Sequence, residues 1–176
     1  MILSDADIKQ EMALNSLVIQ PFNLDQLNPN SYDVRLASDF ALLKYLYDQP
    51  YYWLVTVPAG RKLFLPAGET VLAVTQEVAG GKGNITTQIR AKSSTRRLGI
   101  SICDDAGLGD VGYINRWTME LTANVKPYAV VESGQRIAQV VFHYVLSAAE
   151  KPYSGQYAAH QWPESMIPQR WRDHTI

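Results

Sequence analysis

Apolar and polar positions in this chain mostly alternate in short runs; they seldom recur at helical spacing. The clearest run is Ser31-Tyr32-Asp33-Val34-Arg35-Leu36. Tyr32, Val34 and Leu36 share one face and polar residues the other, which predicts a half-buried strand. Residues 40–53 are aromatic and irregular and read as a hairpin or lid. Further strands are predicted at residues 63–65, 70–75, 84–89, 99–102, 117–125, 128–131 and 135–144. Pro66-Ala67-Gly68 and Gly80-Gly81 read as turns between them. Strands at this spacing predict an all-β barrel or sandwich. A short helix is predicted over residues 5–14, because Ser4 and Asp7 have capping-box spacing and Asp5 places negative charge near the helix start. From residue 147 the chain is polar and punctuated by Pro152, Gly155, Pro163 and Pro168, which predicts an extended C-terminal arm over 147–176.

Composition narrows the class. A length of 176 residues with 47% hydrophobic and 19% charged content is read as a single soluble domain spanning 1–176. A net charge of -1 argues against a general nucleic-acid binder, which is usually strongly basic. No run of about 18 apolar residues is present, so no membrane span is expected. The first residues lack a basic region followed by an apolar stretch, so no signal peptide is expected. The single cysteine, Cys103, cannot form an intramolecular disulfide and fits a reducing, cytoplasmic setting.

Candidate chemistry is concentrated in Arg90-Ala91-Lys92-Ser93-Ser94-Thr95-Arg96-Arg97-Leu98-Gly99. Ser93 is a plausible helix N-cap, and Ser93 and Arg97 stand four apart, near one face. Lys92 and Ser94 beside a helix start make an anion cradle; the alternative is a solvated turn with ordinary surface cations. Glu120 lies opposite the inward-facing Trp117, Met119 and Leu121, on the face of Thr118 and Thr122. It is either a general base in a cleft or a solvent-facing glutamate. Asp104, Asp105 and Asp110 occupy a glycine-punctuated loop that either approaches a ligand closely or is plain surface. His143, His160 and His174 show no metal-ligand spacing. One cysteine cannot supply the Pro-Cys-x-x-Cys element of the zinc nucleobase deaminases. No Walker or dinucleotide fingerprint is present.

Four ordered blocks resemble the dCTP deaminase family of the dUTPase-like superfamily. Residues 31–36 are similar to its S-Y-D-x-R-L strand, and 92–99 to its R-S-S-x-x-R-L-G motif. Residues 106–113 with 118–121 are similar to A-G-x-x-D-x-G-[FY] and T-L-E-L, and 134–139 to G-x-x-I-x-Q. The resemblance implies a mainly β, distorted barrel of the β-clip type with short helices, assembled as a homotrimer with sites between subunits. It implies zinc-independent deamination of dCTP to dUTP and ammonia, or that activity combined with dUTP hydrolysis to dUMP and pyrophosphate. A dUTP pyrophosphatase alone, or a silent nucleotide-binding or regulatory member, are the alternatives. Under the resemblance Glu120 is the general base, while Ser93 and Arg97 position water, base and glutamate. Ala106 lies in the nucleotide pocket, and Asp110 accepts the 3′-hydroxyl. Lys92, Ser94 and Gln139 hold the triphosphate with Mg2+ bridging its oxygens, and Tyr153, Gln156 and Tyr157 belong to an arm that closes over it. Lys92, where the motif has arginine, keeps the charge but not the bidentate fork. Asp105 stands in place of threonine, Gln156 in place of a lysine, and His160 near a usual glutamine.

Overall fold

The computed structural model describes residues 1–47, 49–103, 105–158 and 162. Asp104, His160 and His174 lie outside the described residues, as does the rest of the expected arm beyond residue 158 apart from Trp162.

The chain opens with helix α1 (Asp5–Ala13), where the predicted capping box is present in both directions. Asp7 accepts from Ser4 N at 2.9 Å, and the Ser4 hydroxyl accepts from Asp7 N at 3.2 Å. Strands β1 (Leu17–Gln20), β2 (Leu27–Asn28), β3 (Ser31–Leu46), β4 (Gln49–Thr56), β5 (Lys62–Pro66) and β6 (Thr70–Gly81) follow. Then come β7 (Ile85–Ala91), the one-turn helix α2 (Ser93–Arg97), β8 (Ile100–Ile102), β9 (Leu108–Gly109), β10 (Ile114–Ala123), β11 (Tyr128–Glu132) and β12 (Arg136–Tyr144). The main sheet runs β8-β10-β6-β3-β12-β7-β9, with β1 added to β6 and β2 and β4 to β3; β5 and β11 form a separate antiparallel ribbon. The mainly β expectation holds. A continuous core including Tyr32, Val34, Leu36, Phe40, Met119, Leu121 and Phe142 fills the interior.

Three local expectations are corrected. Gly80-Gly81 is not a turn: both residues lie within β6. A Cβ on Gly80 would stand 2.1 Å from the Tyr113 carbonyl oxygen, and one on Gly81 would stand 2.4 Å from Ile85 Cγ2, so close approach of neighbouring backbone calls for glycine here. The strand from Ser31 is buried on both faces, because Asp33, on the nominally polar face, is only 2% exposed. Asn28 Nδ2 donates to Asp33 Oδ1 at 3.0 Å, and Lys92 pairs with Oδ2. Finally, the N-cap of α2 is Lys92, with no side-chain capping bond, and Ser93 is the first helical residue.

The aromatic segment is a hairpin, as expected: β3 and β4 pair from Asp39–Thr56 to Leu46–Gln49. Beside it, β6 is irregular. Between the pairs Arg116–Val78 and Thr118–Val74, β10 advances two residues and β6 four (118−116 against 78−74). Thr75 fills the gap, its hydroxyl accepting from Trp117 N at 2.8 Å and its carbonyl from Arg116 Nε at 2.7 Å. Glu77 keeps the inward alternation of Val71, Ala73 and Ala79, and there it accepts from Arg35 Nε at 2.6 Å, Arg35 N at 2.8 Å and Gln26 Nε2 at 3.0 Å.

Candidate active site

Alternation along β10 buries Trp117, Met119 and Leu121 and turns Thr118, Glu120 and Thr122 to the other face. That face forms the floor of a cleft of about 520 Å³. The register explains its membership. Glu120 pairs with Leu72 of β6, and Leu72 pairs with Ala41 of β3. One step along, Thr122 pairs with Thr70, and on the hairpin Leu43 pairs with Tyr52. Tyr52 therefore reaches the cleft from β4, and Thr70 and Leu72 line it as well.

The glycine loop forms the opposite wall with Ala106, Leu108, Gly109 and Asp110. Gly109 lets the loop lie close against the indole, since a Cβ there would stand 2.4 Å from Trp117 Cη2. Tyr113 stands edge-on to Trp117 and to Tyr153, with ring centroids 5.1 and 5.6 Å away.

The C-terminal arm forms a further side of the cleft. Tyr153 N donates to Val111 O at 2.8 Å, and Tyr157 N donates to the Tyr153 hydroxyl at 3.3 Å. Both rings line the cleft, while Gln156 is exposed and does not.

Polar groups are few and placed on apolar walls, the usual make-up of a small-molecule site. Burial, with smaller parts from the neighbouring Tyr153, Cys103 and Glu120, pushes the Tyr113 phenol well above its ordinary value. Burial followed by the Glu120 charge does the same for Tyr52. Both phenols are thus neutral donors at physiological pH, set within the field of the Glu120 carboxylate. Thr118 Oγ1 is buried without a hydrogen-bond partner among the described residues, a polar atom suited to a ligand.

A second cavity, of about 700 Å³, lies against the outer faces of β7 and β12 and includes Ser93, Gln139, Arg90 and Arg96. Leu108 belongs to both cavities and forms the wall between them. Of the residues expected at the site, Ala106, Asp110, Glu120, Tyr153 and Tyr157 gather in the first cavity, and Ser93 and Gln139 in the second. Ser94 and Arg97 are exposed on α2 and line neither cavity. Lys92 lines neither: its ammonium rests on Asp33. Tyr52 and Thr70 carry no motif and were not expected here, because only the long-range pairing of β4, β3, β6 and β10 brings them to Glu120.

Among the described residues no group of three or more His, Cys, Asp or Glu side chains could hold a metal ion. Among the described residues no helix is long and apolar enough to cross a membrane.

Comparison with known proteins identifies the family. Residues 2–145 match the family model described as dCTP deaminase-like. The chain is 36% identical over 170 residues to a dCTP deaminase, dUMP-forming, of Leifsonia xyli subsp. xyli, covering 90% of this chain and 84% of that protein. It is 34% identical over 164 residues to the protein of the same description from Methanosphaera stadtmanae, covering 86% and 83%. Among solved structures, the fold is similar to that of 2′-deoxycytidine 5′-triphosphate deaminase from Agrobacterium tumefaciens, with TM-score 0.66 and 22% identity. That match covers 82% of this chain and 48% of the other, so the chain spans about half that protein's length. With the family model matching from residue 2 to residue 145 and relatives above 30% identity along most of its length, the chain belongs to the dCTP deaminase-like family.

Proposed function

We propose that the protein converts dCTP to dUMP, ammonia and pyrophosphate, consuming two waters. The observation that carries this reading is the placing of Glu120 and Asp110 in one aromatic-walled cleft under the C-terminal arm. The relatives are described as dUMP-forming, which favours the expected combined activity ending in dUMP over deamination that stops at dUTP.

In the first step water bonds through oxygen to cytosine C4, and its proton passes to the Glu120 carboxylate. The C4=N3 double bond opens as the oxygen adds, and Glu120 passes that proton to N3; the remaining hydroxyl proton then goes to N4, the C4–N4 bond breaks as C4=O forms, and ammonia leaves. Water is a poor nucleophile at neutral pH, and a positioned base contributes about 10²–10⁴-fold. In the second step water attacks the α-phosphorus, breaking the bond to the β-phosphate oxygen and releasing pyrophosphate. Asp110 takes the 3′-hydroxyl and orients this second water. The rings of Tyr113, Tyr153 and Tyr157 exclude bulk water, which strengthens every charge contact inside.

Deamination in this scheme uses no zinc; Mg2+ accompanies the triphosphate and neutralises its charge. Ser93 and Arg97 lie outside the cleft of their own chain. They complete the cleft of a neighbouring copy in a homotrimer, where they hold the water and the base against Glu120. Ser94 and Gln139 take phosphate oxygens, and Gln156 of the arm faces them. A single buried cysteine and a nucleotide substrate suit the cytoplasm.

The test incubates the protein with Mg2+ and either dCTP or dUTP, following ammonia and pyrophosphate separately. Both products from dCTP are expected. Ammonia without pyrophosphate would restore dUTP as the end product. Pyrophosphate from dUTP with no ammonia from dCTP would leave a dUTP pyrophosphatase. Saturable binding with neither product would leave a nucleotide-binding module and sink the enzymatic reading.

A further inference from the structure

We infer that Arg90, with Arg96 beside it, grips the polyphosphate of the nucleotide in the second cavity and supplies the guanidinium fork that Lys92 does not. The inference rests on the nucleotide reading above and adds a binding residue to it.

The placement follows from register. In β12, Gln139 pairs with Asp33 of β3 on one side and with Arg90 of β7 on the other. Asp33, Gln139 and Arg90 therefore form one row on the same face of the sheet, with neighbouring Cβ atoms roughly 4.5–5.5 Å apart. Lys92, two residues beyond Arg90, shares that face. The two cations have different fates. Lys92 pairs with the buried Asp33 carboxylate, whose side chain is 3% exposed, and Arg136 Nη1 stands 4.0 Å from the same oxygen. Drawing Lys92 away would leave that carboxylate short of its closest partner, so the ammonium is not free to follow a phosphate.

Arg90 has no such tie. It is exposed, and among the described residues neither it nor Arg96 takes part in a salt bridge. Its Nη2 donates to Gln88 Oε1 at 3.2 Å, a neutral contact that steadies the guanidinium along the sheet face. Arg90, Arg96, Ser93 and Gln139 line the cavity together, with Asp105 as the opposing carboxylate on its wall. Two guanidinium groups against one carboxylate leave the cavity cationic. A guanidinium offers paired N–H donors that match two phosphate oxygens, whereas an ammonium acts as a point charge. At about 700 Å³ the cavity is large enough for a triphosphate and its waters.

The experiment measures binding of inorganic tripolyphosphate to the full chain by calorimetry, together with the KM for dCTP. Arg90→Gln is expected to weaken tripolyphosphate binding about tenfold to a hundredfold, the loss of one or two charge-assisted hydrogen bonds. Arg90→Lys, which keeps charge without the fork, falls between it and the parent protein. Arg61→Gln, on an exposed turn residue between β4 and β5, binds like the parent. A parallel rise in the KM for dCTP is expected in Arg90→Gln. Unchanged tripolyphosphate binding in Arg90→Gln, or none in the parent protein, overturns the inference even if dCTP is deaminated. Arg90-dependent binding in a protein that releases neither ammonia nor pyrophosphate supports the inference and overturns the enzymatic reading instead.

Discussion

Asn115 of β10 donates from Nδ2 to the backbone carbonyl of Tyr157 at 3.0 Å, across 42 residues of chain. The strand that carries Glu120 thus also anchors the arm that covers it. Asn115 is 1% exposed, and its Oδ1 accepts from Arg116 N at 2.8 Å, so the amide is held in one orientation. Asn115→Ala is expected to lower stability by about 1–3 kcal/mol, because partners lose a buried hydrogen bond. It should also release the arm. Amide exchange in residues 147–158 should quicken, and kcat/KM for dCTP should fall about tenfold, the equivalent of one good hydrogen bond. An arm that keeps its protection in Asn115→Ala would show that Tyr153 and Val111 hold it alone.

Glu120→Gln keeps the size of the side chain and removes its charge. If Glu120 is the base, ammonia release falls by about 10²–10⁴-fold or more while dCTP binding changes little. Binding is read by fluorescence or calorimetry under the same Mg2+ concentration as the rate. Retained ammonia release would assign the proton transfer to another group in the cleft.

How much of this was legible in the chain depends on the range of the interaction. Short-range features were readable: the Ser4–Asp7 box, the alternation that turns Glu120 away from Trp117 and Met119, and the glycine loop that carries Asp110. Two of the three corrected readings rested on residue type alone. Gly80 and Gly81 look like a turn, yet they admit Tyr113 and Ile85 inside a strand. Ser93 has the chemistry of a cap, yet Lys92 takes the position. Long-range relations left no local mark. The Lys92–Asp33 pair spans 59 residues, and Tyr52 meets the Glu120 face only through three strand pairings. The resemblance implied a role for each motif residue, but it could not show that Lys92 is engaged or that Arg90 takes part in no ion pair among the described residues.

Glu77 offers a test of the scaffold. Its side chain is fully buried and carries three hydrogen bonds from Arg35 and Gln26. Glu77→Ala would leave Arg35 without its carboxylate and Gln26 with only the Asp33 carbonyl as acceptor, and would open a void at the β6 bulge. Removing one partner of a buried pair costs about 3–5 kcal/mol, which corresponds to a fall in Tm of the order of 10 °C. Thermal melting reads it directly. A change of a degree or two would mean that water enters the bulge and replaces the carboxylate.

A pH-dependent contribution is expected at the other end of the sheet. The Tyr144 hydroxyl donates to Glu11 Oε1 at 2.6 Å and ties β12 to α1. That hydrogen bond, with a lesser part from burial, raises the phenol from its ordinary 10.0 to about 12. A raised folded-state value means the stabilisation is complete below the unfolded value and is lost as pH climbs through the folded one. The parent protein should therefore lose stability between pH 10.0 and about 12. Tyr144→Phe should be less stable at neutral pH and flatter across that alkaline window. Identical alkaline slopes in urea titrations would remove Tyr144 from the account.

The separation of Ser93 and Arg97 from Glu120 yields the sharpest test of a shared site. Ser93→Ala and Glu120→Gln should each be inactive alone, for different reasons on different walls. Mixed in equal amounts under conditions that let subunits exchange, they should regain activity, because a site built from one chain's Glu120 and its neighbour's Ser93 can then be intact. In a ring of three with random mixing, each site is intact roughly one time in four, so about a quarter of parent activity is expected. A double variant carrying both changes, mixed with either single variant, should regain none. Failure of the complementary mixture, with exchange verified by mass, would place Ser93 and Glu120 in the same chain's site and would require α2 to move toward the cleft when nucleotide binds.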